Sequence, residues 1–532
     1  MTFLAPLFVM ILAASAPSSP EADALRIGTI TVRALDVYSG AEAARGKFYR
    51  LADRLHAETR PSVIEQFLLF HEGDPYRPEV LAETERNLRT LHFLKSASVA
   101  ASPPHDGLVD VTVTTQDSWS IAPETQAGSK GGKSTYGATL SDNNLFGLGK
   151  NLEVGWDKGV DRTRMNILYN DPAFFAPYWQ ARFGYAVNSD GYDHRFSVAR
   201  PFYSFSTPWS AELSFTGYRQ NDRLYSHGAV TERFRQTHRQ IVASFGTALR
   251  ATDLAATRLT AGLRFQDDDF GPLTAPRRER AQSVDGAFPT TREFRSLFVR
   301  YESSENDFVT WNFVNKDLRY EDFNLGRQSS FETALSTPLL GADRTVPEVR
   351  LHASNGLRWS DRGFAIPAIS LSSRFDNGLS NTVAATSVLF VRRTDAAWPR
   401  VLVGRAMLSS GWRLDAEQQF FADGLNGLRG YRAHSFAGDR SIVLNLEQRI
   451  YLGREILQIA SPGLVAFIDA GNATNGGLTT LLRLKTDVGV GIRVGLPRTP
   501  KNLLRVDLSY ALSRDPLGRS GWMVSFSSGQ AF

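Results

Sequence analysis

Asp487-Val488-Gly489-Val490-Gly491-Ile492-Arg493-Val494-Gly495-Leu496 is the stretch that decides the fold. Val488, Val490, Ile492, Val494 and Leu496 face one way; Gly489, Gly491, Arg493 and Gly495 face the other. That is the two-residue period of a β-strand. The same period recurs in Ala211-Leu213-Phe215, Ile241-Ala243-Phe245-Thr247-Leu249 and Val506-Leu508-Tyr510. A soluble sandwich alternates as well. Here, however, the second face is repeatedly Gly, Ser, Thr, Arg or Asp, as a wet lumen prefers, while the apolar face stays narrow.

Connection lengths point the same way. Short turns at Asn144–Gly149, Arg250–Asp253 and Ser360–Gly363 interleave with long polar connections at Gln220–Gln236, Asp267–Thr291 and Trp412–Asp439. Short turns on one side and long loops on the other are the outer-membrane barrel arrangement. Aromatics gather near strand ends (Tyr178-Trp179, Trp209, Trp398, Trp522), as an interfacial girdle requires. The last strand, from Gly521, places Trp522, Val524, Phe526 and Phe532 on even positions, and the chain stops on an aromatic. The pattern predicts a mainly β chain, a transmembrane antiparallel barrel. A hand count of alternating runs gives roughly 16 to 20 strands, an even number if both barrel ends lie on one side.

The 532 residues exceed one ordinary domain, and the ends of the chain divide it further. Residues 1–24 read as an export signal: the apolar run Phe3–Ala14, then small residues and Ala22-Asp23-Ala24 before Leu25. Residues 25–117 read as one small α/β domain. Its strand Ile27–Val32 is followed by a short helix at Gly46–His56 and an amphipathic helix from Pro61 with Val63, Ile64, Phe67, Leu68 and Phe70 inward. Glu72-Gly73-Asp74-Pro75 ends that helix. A helix Pro78–Arg89 turns Val80, Leu81, Thr84 and Leu88 inward and a solvated face outward, and strands Ala97–Ala101 and Leu108–Thr115 follow. The barrel takes residues 118–532.

Two motifs stand near the C-terminus. Leu428-Arg429-Gly430-Tyr431 lies inside the long connection, and Phe467-Ile468-Asp469-Ala470-Gly471 lies on a later strand. An Arg that must be fixed has a plausible carboxylate partner in Asp469, and a guanidinium fork meeting it bidentately would pin the loop to the barrel wall. Together with Asn144-Leu145-Phe146-Gly147-Leu148-Gly149 and Thr115-Gln116-Asp117-Ser118-Trp119, these motifs make the chain resemble the outer-membrane assembly-factor superfamily, the BamA/TamA-like bacterial surface antigens with POTRA domains and a β-barrel. The resemblance implies a 16-strand barrel preceded by one POTRA-like domain, and a loop 413–438 folded into the lumen before the last five strands. It makes Leu428, Arg429, Gly430 and Tyr431 the loop tip, Asp469 its anchor with Glu447 as second candidate, and Phe467 and Gly471 parts of the wall motif. Trp522, Phe526 and Phe532 then resemble the C-terminal signal for membrane insertion.

Other chemistries find little support. Ala127–Ser134 fits a relaxed phosphate-loop pattern but lacks the strand before it and the helix after it. Absence of Cys removes thiol catalysis and thiolate metal sites; the nine His show no ligand spacing, and Asp267-Asp268-Asp269 reads as a solvated loop. Charge is scattered at net +5, so nucleic acid is not an expected partner. No enzyme activity, metal or cofactor is expected. The resemblance implies insertion or translocation of client polypeptides in the bacterial outer membrane by strand addition to the POTRA edge or a barrel seam. The small domain would then lie in the periplasm and could meet an accessory protein. The alternative is a passive or substrate-specific pore.

Overall fold

The computed structural model describes residues 25–37, 57–273, 289–394, 396–457, 459–496 and 503–532. The export signal and the helix expected at Gly46–His56 lie outside them.

Ahead of the barrel, three strands form one sheet: β1 (Arg26–Leu35), β2 (Leu94–Ala101) and β3 (Leu108–Asp117), in the order β1-β3-β2. β1 runs parallel to β3 and β2 antiparallel to it, so β1 is an edge. Helices α1 (Pro61–Glu65) and α2 (Pro78–Thr90) pack on one face. Ile27, Ile64, Phe67, Leu68, Leu81, Leu88, Phe93, Val111 and Val113 make the core. The sequence predicts a longer α1. Helical bonding stops at Glu65, and Phe67 and Leu68 reach the core from the tight turns that follow, their N–H groups bonding Ile64 and Glu65 carbonyls.

The rest of the described chain closes into an antiparallel barrel of twenty strands, from Ile121–Lys130 to Gly521–Ser528. Val346–Ser354 and Leu357–Ser360 are two halves of one strand, both paired with Gly363–Phe375. Twenty is the top of the hand count and exceeds the sixteen implied by the resemblance. Five strands follow the loop at 413–439, as the resemblance requires, so the surplus lies before it. The motifs that carry the resemblance sit at the domain junction, after an early barrel strand, in the lumen loop and on the second of the last five strands, and none lies between residues 150 and 427, where the surplus can fall. No helix among the described residues is long and apolar enough to cross a membrane. Val490, Ile492, Val506 and Leu508 point outward and are exposed, whereas Asp487, Gly491 and Arg493 point inward and are buried.

Two expectations on loops change. Gln220–Gln236 is a continuation of the hairpin Trp209–Ser226 and Ala229–Ala251, in register to its tip at Ser226↔Ala229. Its residues are polar because strands of 18 and 23 residues outrun a hydrocarbon core that needs about 9–11. Asp267-Asp268-Asp269 likewise lies within the strand Ala255–Gly271, where Asp268 bonds His238 at 2.7 Å.

The last strand ends at Ser528, and Phe532 does not share its outward face. Gly529, at φ +79°, turns the final residues into the barrel mouth, where Gln530 Nε2 donates to the Tyr451 hydroxyl at 2.8 Å. Phe532 packs on inward-facing apolar residues there, while Trp522 stays outward and exposed.

Candidate functional site

The loop between Arg400–Trp412 and Arg440–Tyr451 folds into the lumen, and its tip lies against the inner wall of the last strands. Strand period places the wall side chains: Glu447 and Arg449 point inward from one strand, Phe467, Asp469 and Gly471 from the next, Asp487, Gly491 and Arg493 from the third, Asp507 and Ser509 from the fourth.

Arg429 meets this wall with every face of its guanidinium. Nε and Nη2 donate to the two Asp469 oxygens at 2.7 and 2.8 Å, a bidentate fork. Nη1 donates to Glu447 and lies 3.6 Å from Asp507. The guanidinium carbon lies over the Phe467 ring, 3.4 Å from its centre. The Arg429 carbonyl accepts from Ser509 Oγ at 2.9 Å. Only 4% of the side chain is exposed. Burial works against its charge, but Asp469, then Glu447 and Asp507, more than offset this and move its pKa up.

The neighbours of Arg429 fit the same wall. Leu428 is fully buried, and a Cβ on Gly471 would lie 3.3 Å from its Cδ2 and 2.5 Å from the Ile442 carbonyl. A Cβ on Gly430 would sit 2.5 Å from Asp487 Cβ, so glycine lets the loop backbone touch the wall. The Tyr431 hydroxyl bonds the Thr486 carbonyl at 3.0 Å and Ser513 at 2.9 Å. Asn445 bridges the Gly427 carbonyl (2.6 Å) and Asp469 (2.7 Å).

The two candidate anchors, Asp469 and Glu447, are thus used together. Sequence reasoning missed the rest of the cluster. Arg449 donates to Glu447 at 2.6 Å, and Arg493 donates to Asp507 at 2.6 Å and lies 3.5 Å from Glu447. Both arginines are fully buried. The legible signal is charge on the inward phase of consecutive strands: Arg493 stands on that phase of Asp487–Leu496, but the alternation does not say what it meets. The root of the loop is anchored too: Asp415 and Glu417 pair with Arg292, and Asp415 also with Arg374, on the strands Arg292–Glu305 and Gly363–Phe375. Of the C-terminal residues, Trp522 and Phe526 lie on the closing strand and Phe532 lies inside the mouth, far from a shared row.

A sequence model described as the Omp85 superfamily domain matches residues 144–532. No curated protein matches the chain. Among solved structures it is similar to CdiB from Acinetobacter baumannii (11% identity, 95% of this chain and 74% of that one, TM-score 0.47). CdiB from Escherichia coli matches at 12% identity over 97% and 92%, TM-score 0.45. BamA from Haemophilus ducreyi lacking POTRA domains 1-3 matches at 12% identity over 94% and 84%, TM-score 0.38.

Proposed function

The chain belongs to the Omp85 superfamily, and from that premise we propose that it inserts or translocates other polypeptides in the bacterial outer membrane by offering them a strand edge. The small α/β domain is then a POTRA-like periplasmic module, with β1 as an additional edge for an extended peptide.

The observation that carries the proposal is the closure of the barrel. Gly521–Ser528 registers with Leu503–Ala511 along its length, from Leu504↔Ser528 to Ala511↔Gly521. Ile121–Lys130 registers equally fully with Lys133–Asp142. Between the first and last strands the described register is one pair, Phe526↔Ser129. Amides and carbonyls left unpaired in hydrocarbon cost several kcal/mol each, so a seam joined by one registered pair is a strong acceptor for a client strand. The client gains main-chain hydrogen bonds there that lipid cannot supply.

The pore reading gains less support, because the loop 413–439 crosses the lumen and is anchored at root and tip.

A disulfide between Ser129→Cys and Phe526→Cys tests the seam. The pair is cross-strand, the spacing a disulfide tolerates, and the chain has no other thiol. Oxidation is expected to stop assembly of client barrels in reconstituted liposomes and reduction to restore it. Full client assembly through a completely oxidised seam would rule the proposal out.

A further inference from the structure

The connection between the strands Arg292–Glu305 and Gln328–Ser336 is unlike the other turns at its end of the barrel. That end is fixed by its contacts with the small domain: Asn144 donates to the Ala57 carbonyl, Tyr178 to the Leu68 carbonyl, and Asp253 accepts from Arg77. Here residues 306–327 turn back as a small hairpin, Phe308–Trp311 with Glu321–Asn324, which belongs to no barrel strand.

Its tip is inside the barrel. Trp311, Phe313, Val314 and Leu325 are buried against Phe364, Val391, Val401, Val403 and Tyr451, inward-facing wall residues. Trp311 meets Phe364 edge-on with ring centres 4.8 Å apart. Aliphatic and aromatic side chains on the lumen side of several neighbouring strands are out of place in a wet bore. They make sense as a seat for this hairpin. A Cβ on Gly356 would lie 2.4 Å from Leu325 Cα, so the wall leaves room for the hairpin base as well.

From the other side the small domain grips it. Arg89 on α2 holds Asp322 with two hydrogen bonds, 3.0 and 2.7 Å. Arg86 lies over the Phe308 ring at 4.4 Å and donates to Asn306 at 3.0 Å. Arg319 donates to the carbonyls of Leu94 and Lys95 at the start of β2. At the inner end the Val314 carbonyl accepts from Arg449, whose Nε donates to Glu447, the carboxylate that also takes Arg429.

We propose that residues 308–324 are a displaceable plug at the small-domain mouth of the barrel, held by Arg86, Arg89 and Arg319, and that its seating is sensed at the loop tip through Arg449 and Glu447. A peptide that moves the small domain would withdraw the plug, unload Arg449 and loosen the Arg429 anchor. The inference does not depend on the strand-addition reading, since it concerns the bore and not the seam.

Single-channel recording of the full chain in planar bilayers tests it. Arg89→Ala, on the face of α2 away from the core of the small domain, is expected to raise open probability about 5- to 150-fold over wild type, the range of ordinary coupling energies. Joining Trp311→Cys to Phe364→Cys with a short bifunctional thiol reagent is expected to keep that same variant closed. Trypsin should nick the loop 413–439 faster in Arg89→Ala and at the wild-type rate once the plug is joined to the wall. Unchanged open probability in both Arg89→Ala and Arg319→Ala would overturn the plug. Raised open probability with unchanged loop nicking would overturn the relay through Arg449 while leaving the seam untouched.

Discussion

Arg429 is worth more to the loop than its one obvious partner suggests. It sits between Asp469, Glu447 and Asp507 and on Phe467, all buried, so removing it strands carboxylates in a dry place. Truncating one member of a buried ion cluster costs about 3–5 kcal/mol. Arg429→Ala should therefore free the loop tip. Trypsin nicking within 413–439 would accelerate by at least about a hundredfold at 1.4 kcal/mol per decade, while the barrel keeps its resistance to denaturation in detergent. Arg429→Lys should recover little, since a point charge cannot fork to Asp469 and reach Glu447 at once. Nicking at the wild-type rate in Arg429→Ala would show that the cluster does not hold the loop. The Arg–Asp link could be read from the sequence because both residues stand in recognisable motifs. Arg449, Arg493 and Asp507 could not. Each is one charged residue in an alternating strand, and which charges meet across a lumen depends on strand tilt and register, which local pattern does not encode.

At the scale of elements, α2 shows where amphipathicity misleads. Its inward row, Val80, Leu81, Thr84 and Leu88, is buried as the periodicity requires. The opposite row reads as solvated but is occupied by the barrel: Glu83 accepts from the Phe205 N–H at 2.8 Å, Asn87 donates to the Tyr203 carbonyl at 2.9 Å, and Arg89 takes Asp322. A polar face that docks on backbone carbonyls and carboxylates has the same composition as one that meets water. The inner hairpin was illegible for a related reason, because a short strand pair with turn residues looks the same folded in or out. It carries one consequence for pH. Burial, with the like charge of Glu455 nearby, raises the Asp317 carboxyl to about 6; the Ser461 hydroxyl and the Leu318 N–H offset only part of this. Arg449 and Tyr451 lie on the facing wall. A carboxyl raised in the seated state binds its proton more tightly there than in water, so the plug gains stability as pH falls from about 6 to about 4, and above that window bears the full cost of the charge. Open probability should fall as pH drops from 7 to 5, and Asp317→Asn should abolish that dependence. A wild-type channel that opens more readily at pH 5 would contradict the sign.

For the whole molecule, the outward apolar band and the filled interior make separable optical predictions. Trp359, Trp412 and Trp522 are exposed on the outer surface, whereas Trp311 is packed inside the plug seat. In bilayers of brominated lipid, variants retaining only Trp359 or Trp522 should lose most of their fluorescence, and one retaining only Trp311 should lose little. Strong quenching of Trp311 would place the hairpin outside the bore. Barrel class was open to sequence reasoning because lipid and lumen impose opposite demands on alternate residues of every strand. Strand number was not, since one additional hairpin satisfies the same demands. The long hairpin Trp209–Ala251 arches over the end remote from the small domain: the Tyr225 N–H and carbonyl bond Gln419, its ring stacks on His434 at 4.0 Å, and Gly228 lies against Leu517. The hairpin and the lumen loop are thus clasped together there, so trimming the hairpin back past Tyr225 would unlace the loop at Gln419 and His434 while the ionic knot at Arg429 still ties its tip.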